Sequence, residues 1–389
     1  MDFELSPEQQ AIRDTCRDFA SEVIAPAAEE LDRTHSFGYD IVRQMGELGL
    51  FGLPFPEDAG GAGGDFLSLC IAIEEVSRAD AGVGITLEAA VCLGSSPIYE
   101  FGTPEQKAKW LPDLLAGRKL WSFGLTEPEA GSDAGATKTR ADQRDGQWVV
   151  NGAKQFITNC GTTISAGVTI TAVTGREKDG DPEISAILVP AGTPGYSVLG
   201  SYRKLGWHSS DTHPLAFEDC EVPAENLLGQ RGGGYRQFLR TLTGGRIAIA
   251  ALSVGVAQAC LDASLAYAKE RQAFGVAISK HQAIQFKLAD MATETEVART
   301  IVYRAASAYG REGGETSDEV RRLAAMSKLY ASEASKRAAD NAVQIHGGYG
   351  YMDEYAISRF YRDQKVLEIG EGTNEVQRMV IAKHLGLGD

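Results

Sequence analysis

The chain has 389 residues, 43% of them hydrophobic, and a formal net charge of −15. That length exceeds what one hydrophobic core normally serves and implies two or three domains. The acidic balance excludes a non-specific nucleic-acid binder, and six scattered cysteines with no Cys-x-x-Cys and no Cys/His cluster argue against a metal centre or a disulfide framework. Reduced thiols fit a cytoplasmic protein.

At the N-terminus, Met1-Asp2-Phe3-Glu4-Leu5 has neither the basic nor the apolar region of a signal peptide. No uninterrupted apolar run of bilayer-spanning length follows, so no membrane span is expected. Ser6-Pro7-Glu8-Gln9 reads as an N-cap, a proline in the first helical turn and a capping-box Gln. Ile12, Cys16, Phe19, Ala20 and Val23 mark one face of a first helix, which is expected to end near Pro26. A second helix is predicted from Tyr39 to Leu48 and a third around Phe66 to Ala79. The pattern stays helical from Thr86 to Leu115, restarted by Thr103-Pro104-Glu105.

From about Lys119 the character changes. Short runs rich in β-branched and aromatic residues appear at Leu120–Phe123, Trp148–Val150, Gln155–Thr158, Val168–Val173, Ser185–Val189 and Leu215–Phe217, separated by turn residues. Their spacing predicts a small antiparallel barrel or sandwich ending near Pro223. Gly229 to Gly234 reads as a connection. Long amphipathic helices are then expected over Phe238–Glu270, His281–Gly310 and Ser317–His346, with a last one after Asn374, and they imply a bundle. The predicted fold is multi-domain and mainly α. An N-terminal helical domain occupies 1–118, a central β-domain 119–228 and a C-terminal four-helix bundle 229–389.

Three stretches carry chemistry. Phe123-Gly124-Leu125-Thr126-Glu127-Pro128-Glu129-Ala130-Gly131-Ser132-Asp133 offers backbone N–H groups and hydroxyls to a phosphate or a polar ring edge, or is simply a tight exit from a strand. No Gly-x-Gly-x-x-Gly links a strand to a helix here, which disfavours a nicotinamide cofactor bound in the usual way. In Glu270-Arg271-Gln272-Ala273-Phe274-Gly275, followed by His281-Gln282, an Arg could grip a phosphate and a Phe cover a ring; taken alone, such an Arg is more often a surface helix residue and such a Phe a core one. Glu368-Ile369-Gly370-Glu371-Gly372-Thr373-Asn374-Glu375 sets a carboxylate between two glycines, on a turn that feeds a helix capped by Thr373 or Asn374. Taken alone, that Glu is a solvated turn residue.

In this order, and with Gln344 to Gly350 between the last two, these motifs resemble the FAD-dependent acyl-CoA dehydrogenase family over nearly the whole chain, in its short, medium or short branched-chain types. Asn151-Gly152, Thr158-Asn159 and Ser210-Asp211-Thr212 agree with it. The resemblance implies FAD as cofactor. Phe123, Leu125, Thr126, Phe156 and Thr158 would line the isoalloxazine, with Thr126 near N5, and Gly131 and Ser132 would meet the pyrophosphate. Arg271, Phe274, Gln282, Gln344, Gly347 and Gly348 would hold the diphosphate and adenosine, partly across a subunit boundary, with Thr373 and Glu375 completing that site. Ser132, Arg246 and Gly372 would touch substrate.

The family keeps its catalytic base in one of two places. The neighbourhood of Arg246 reads Thr243-Gly244-Gly245 and has no carboxylate, so Glu371 is the expected base. It would take the α-proton of an acyl-CoA while hydride leaves the β-carbon for flavin N5, giving a trans-2-enoyl-CoA in fatty-acid or branched-chain amino-acid degradation. The stretch Ile85-Thr86-Leu87-Glu88-Ala89-Ala90-Val91 would help set acyl length. The resemblance further implies a homotetramer, a dimer of dimers, that passes electrons to an electron-transferring flavoprotein. An oxygen-using acyl-CoA oxidase of the same architecture is the alternative, and a non-catalytic CoA-binding scaffold a more distant one.

Overall fold

The computed structural model describes residues 4–311 and 313–387. Of the N-terminal stretch read above, Met1, Asp2 and Phe3 therefore lie outside the described residues. Helix α1, Pro7–Phe19, opens with the expected capping box: the Gln9 N–H donates to Ser6 Oγ at 3.2 Å and the Ser6 N–H to Gln9 Oε1 at 3.0 Å. It does not end at Pro26. Ala20–Ile24 widen into a π turn, in which the Ala25 N–H reaches five residues back to the carbonyl of Ala20, and α2 continues over Ala25–Thr34. Pro26 thus falls in the first turn of the next segment, where its missing N–H breaks no ladder bond.

Helix α3, Tyr39–Glu47, and α4, Phe66–Ala79, fall where the periodicity placed them. Asp65 caps α4, accepting from the Ser68 N–H at 2.7 Å. Asp80 caps α5, Ala81–Glu88, in the same way, and a second π turn at Ala89–Ser95 leads into α6, Ser96–Phe101. The Thr103–Gln106 capping box restarts the chain as α7, Pro104–Leu115.

Eight strands follow: β1 Leu120–Gly124, β2 Arg140–Arg144, β3 Gln147–Thr158, β4 Ser165–Arg176, β5 Pro182–Pro190, β6 Tyr196–Val198, β7 Thr212–Pro223 and β8 Leu227–Leu228. They form one sheet in the order β6-β7-β3-β2-β4-β5-β8, with β1 added on β4. Two details differ from the sequence reading. Trp148–Val150 and Gln155–Thr158 are one strand, β3, whose register against β7 shifts at Val150/Gly152 and Lys154/Ile157. The mostly antiparallel sheet is also parallel where β1 and β2 pair with β4. Trp148, Val150, Ile170, Phe217 and Val222 give this sheet a core of its own.

The rest is helical apart from a short hairpin of β9, Gln272–Ala273, and β10, Val276–Ala277. Helix α8 spans Gly234–Glu270, α9 Gln282–Tyr309, α10 Asp318–His346, α11 Ala356–Asp363 and α12 Asn374–His384. Helices α8, α9 and α10 pack on one another, α12 lies on α10, and α4 lies on α8. First and last thirds of the chain therefore share one hydrophobic core. Among the described residues, two helical stretches, Ala81–Phe101 and Gly234–Glu270, are by length and composition alone long and apolar enough to cross a membrane. Their apolar windows are 89% and 83% buried inside the fold, so that apolarity serves the core.

Candidate active site

The turn ahead of α12 is held by its neighbours. Thr373 caps the helix, accepting from the Val376 N–H at 3.3 Å, and the side chain of Asn374 is used elsewhere. Glu371 sits at φ 55°, in the left-handed region that a side-chain-bearing residue seldom adopts. Its carbonyl accepts from Arg246 Nε at 3.2 Å and Gln377 Nε2 at 3.3 Å, which fixes the turn from two sides. Gly372, at φ 89°, leaves room for that Gln377 amide, which also donates to the Gly372 carbonyl at 2.8 Å.

The Glu371 carboxylate itself points into the protein. Both its oxygens are buried and neither has a hydrogen-bonding donor among the described residues. The same holds for Glu88, at the end of α5, and the two carboxyls are in contact. Around them lie two more buried charged groups, Arg246 on α8 and Lys328 on α10. Burial pushes Glu371 up to about 7, against Glu88, Arg246 and Lys328, which pull it down. Burial and the nearby Glu371 charge push Glu88 well above the usual carboxylate range. Lys328 is brought down to about 8 by burial, although Glu371 opposes this; its Nζ donates to Asn374 Oδ1 at 2.9 Å.

A second group of residues lines the sheet. The Gln155 N–H donates to the Thr126 carbonyl at 2.8 Å and so lays the Leu125–Thr126 segment beside the end of β3 that carries Phe156 and Thr158. Phe156, at φ 60°, presents a ring that is 61% exposed; Phe123 instead stacks on Phe238 of α8, with ring centroids 4.0 Å apart. Beneath the segment, Lys154 and Glu127 form a buried ion pair at 2.7 Å. Burial raises the acid and lowers the amine. Pairing wins for Glu127, which drops to about 2, and burial wins for Lys154, which comes down to about 8, so both charges coexist at neutral pH. Gly131 and Ser132 lie exposed on the loop beyond. The two groups are tied together by Asn159, whose Nδ2 donates to the Thr86 carbonyl at 3.1 Å, two residues before Glu88.

A cleft of about 460 Å³ lies further along the bundle, lined by Tyr267, Arg271, Ile345, Gly347, Gly348 and Tyr349 among others. The Arg271 guanidinium lies over the Tyr349 ring, and side-chain atoms at Gly347 and Gly348 would meet open space. Phe274 and Gln282 do not join this cleft within one chain: Phe274 is 97% exposed at φ 53°, and Gln282 is exposed at the start of α9, as is Gln344 near the end of α10. Thr373 and Glu375 stay with the Glu371 turn. A larger cleft of about 930 Å³, between α1 and the bundle, is lined by arginines that are mostly ion-paired to glutamates and lacks Glu371 altogether.

An open aromatic face beside a Thr, an Arg cleft edged by bare glycines and a buried carboxyl without donors leave room for a dinucleotide with a flat ring system beside a proton-accepting group, the arrangement of a cofactor-dependent oxidoreductase. Comparison with known proteins makes the class specific. The profiles of the acyl-CoA dehydrogenase N-terminal, middle and C-terminal domains match residues 6–118, 122–220 and 232–386. A probable acyl-CoA dehydrogenase of Bacillus subtilis (strain 168) is 53% identical over 99% of this chain and 100% of its own length. Butyryl-CoA dehydrogenase from Megasphaera elsdenii superposes with a TM-score of 0.94 at 42% identity, covering 99% of this chain and 100% of that one. A chain in the structure of the electron transferring flavoprotein of Acidaminococcus fermentans gives a TM-score of 0.94 at 44% identity, with 99% of each chain covered. The chain belongs to the acyl-CoA dehydrogenase family and is an FAD-dependent oxidoreductase acting on acyl-CoA.

Sequence reasoning missed Lys328 and treated Glu88 only as part of a pocket wall. For Glu88 a signal was present: a lone carboxylate inside the apolar run from Ala81 to Val91.

Proposed function

We propose that Glu371 is the catalytic base that takes the α-proton of an acyl-CoA thioester, with a trans-2-enoyl-CoA as product. One observation carries this reading: a carboxylate that is buried and free of donors, on a turn gripped by Arg246 and Gln377; that burial raises it to about 7. A base poised near neutral pH is what abstraction from a weak carbon acid requires. When bound, FAD supplies the hydride acceptor for the β-carbon. Leu125, Thr126, Phe156 and Thr158, with Phe123 behind them, would hold its ring, and Gly131 and Ser132 would meet the pyrophosphate. Arg271, Gly347 and Gly348 would hold the adenosine end, completed by Phe274, Gln282 and Gln344 from a neighbouring subunit. The turn at Gly372 presents backbone to the thioester, and Ser132 and Arg246 border the substrate. Exclusion of water by the acyl chain strengthens each of these contacts.

The likeness to butyryl-CoA dehydrogenase favours a short acyl chain. The likeness to a chain of the Acidaminococcus flavoprotein structure favours an electron-transferring flavoprotein as acceptor. A cytoplasmic homotetramer of three-domain subunits, divided near residues 118 and 228, accompanies this reading, and the exposed Phe274 is consistent with it. Anaerobic mixing with butyryl-CoA tests the assignment. Wild type should bleach its flavin and Glu371→Gln should not; unimpaired bleaching by the variant would remove Glu371 from the role.

A further inference from the structure

We propose that the base is a carboxyl pair: Glu88 holds a proton and donates it to Glu371, so that one proton is shared between the two side chains before substrate arrives. This rests on Glu371 being the base. The geometry carries it. Four carboxyl oxygens, two from Glu88 and two from Glu371, are buried in one place, and none accepts a hydrogen bond from any described residue. Two dehydrated carboxylates in contact cannot both ionise, and a buried acceptor without a donor is costly. A single proton between them answers both problems at once: it removes one negative charge and provides the missing donor.

The surrounding groups agree with a pair that carries one negative charge. Arg246 from α8 and Lys328 from α10 face Glu371 as cations. Cys92, in the π turn after Glu88, and Cys70 on α4 are the remaining titratable neighbours, and burial holds both thiols neutral. Among the described residues, no cation is hydrogen-bonded to Glu88. Glu88 is therefore the member that keeps the proton, and Glu371, beside the two cations, is the member that stays ionised.

The consequence is a specific role for Glu88 as a positioning residue. Its O–H orients the Glu371 carboxylate and stabilises the charged form, which keeps a base with a buried carboxylate usable near neutral pH. During turnover the α C–H bond breaks and its proton goes to Glu371, while the hydride from the β-carbon goes to the flavin. The pair then holds two protons, one of which returns to solvent once product has left.

Two measurements on the flavin-loaded enzyme test this. The first is infrared difference spectroscopy across pH, without substrate: wild type should keep a protonated-carboxyl C=O band at pH 8, and Glu88→Gln should abolish it. The second is the pH dependence of flavin reduction by butyryl-CoA. Glu88→Leu, which has no donor, should move the rise up by about one pH unit, slow reduction about fivefold at pH 7 and recover toward pH 9, because a midpoint moved from about 7 to about 8 cuts the ionised fraction at pH 7 from about one half to about one eleventh. Glu88→Gln, which keeps a donor, should restore most of the rate. A band that persists in Glu88→Gln, or a Glu88→Leu profile lowered equally at every pH, would overturn the shared proton and leave Glu88 as a wall of the pocket. Should Glu88→Leu fail to fold, the band and the Glu88→Gln profile decide. Unimpaired bleaching by Glu371→Gln would instead sink the assignment of the base and leave the infrared result standing by itself.

Discussion

Gly245 lies directly against Glu371: a methyl group there would overlap Oε2 and come within 2.9 Å of Cδ. The missing side chain on α8 is thus the space that the carboxylate occupies. The carboxylate is the free end of a flexible side chain, so Gly245→Ala should fold and bind FAD normally while pushing Glu371 out of line. A displacement of about 1 Å at a reacting group costs on the order of 100-fold. We expect a loss of that size in the rate of flavin reduction with an unchanged flavin absorption spectrum, and a fall of less than about threefold would contradict it.

The same proximity makes the base transferable. A Glu at 245 would bring a carboxylate to the place that Glu371 fills, provided Glu371 is first removed. Glu371→Gly alone should be inactive in anaerobic bleaching with butyryl-CoA, and adding Gly245→Glu should restore measurable reduction. No recovery in a folded, yellow double variant would show that the turn, and not only the position of the carboxylate, is needed.

Activity and stability should respond to pH in opposite directions. Glu371 works as a base only when ionised, so flavin reduction should rise with pH through about 7 and be lost as pH falls below it. For stability, the folded-state value lies above that of the unfolded chain, so the native state binds more protons between about 4.5 and 7. Stability from this group is therefore complete below about 4.5 and is lost as pH rises through about 7. In thermal melts, Glu371→Gln should unfold above wild type at pH 8, with the difference shrinking toward pH 4.5. A variant less stable than wild type at pH 8 would mean that the carboxylate contributes favourably where it stands.

Much of this was legible in the sequence because local chemistry decided it. The Ser6 and Thr103 capping boxes and the cap at Thr373 are set by residues three apart, and the structure follows them. Pro26 misled because the rule that proline ends a helix assumes α spacing, and the π turn at Ala20–Ile24 removes that assumption. Strand β2, Arg140–Arg144, is polar at four of its five positions and shows no hydrophobic pattern, so only its pairing with β3 reveals it. Apart from Arg246, which the resemblance already placed at the substrate, the partners of Glu371 were hidden for a different reason. Glu88, Arg246 and Lys328 come from α5, α8 and α10, and no spacing along the chain announces that three helices bring them to one carboxylate.

Lys154 and Glu127 should matter for both stability and cofactor retention. Glu127 gathers Lys154, the Thr137 hydroxyl and the N–H groups of Lys138 and Thr139, and Lys154 also donates to the Leu125 carbonyl at 3.3 Å. Lys154→Met leaves the carboxylate buried without its cation, a change that typically costs about 3–5 kcal/mol. We expect a clearly lower melting temperature and weaker FAD retention on gel filtration. Since Glu127 is held down at about 2, its stabilising contribution in wild type is present above about 4.5 and is lost as pH falls toward 2. The gap between wild type and variant should narrow over that range; a constant gap would mean that packing of the Lys154 stem, not the ion pair, was lost.

Lys328 is the cation whose removal should act on chemistry without touching substrate. Its Nζ holds Asn374 Oδ1 at 2.9 Å, Ser332 shares that oxygen at 3.1 Å, and Asn374 begins α12 two residues beyond Gly372. Its charge lowers the pKa of Glu371, against burial. Lys328→Met keeps the length and apolarity of the stem and deletes the charge, so Glu371 should ionise at higher pH. The rise in flavin reduction with pH should move up by about one unit, from about 7 to about 8, which is about a fivefold loss at pH 7 with recovery at pH 9. Asn374→Ala supplies the control, because it cuts the tether to α12 and keeps the ammonium. If that variant shifts the pH profile as far as Lys328→Met does, Lys328 acts by placing the turn; if only Lys328→Met shifts it, the buried charge itself sets the working range of the base.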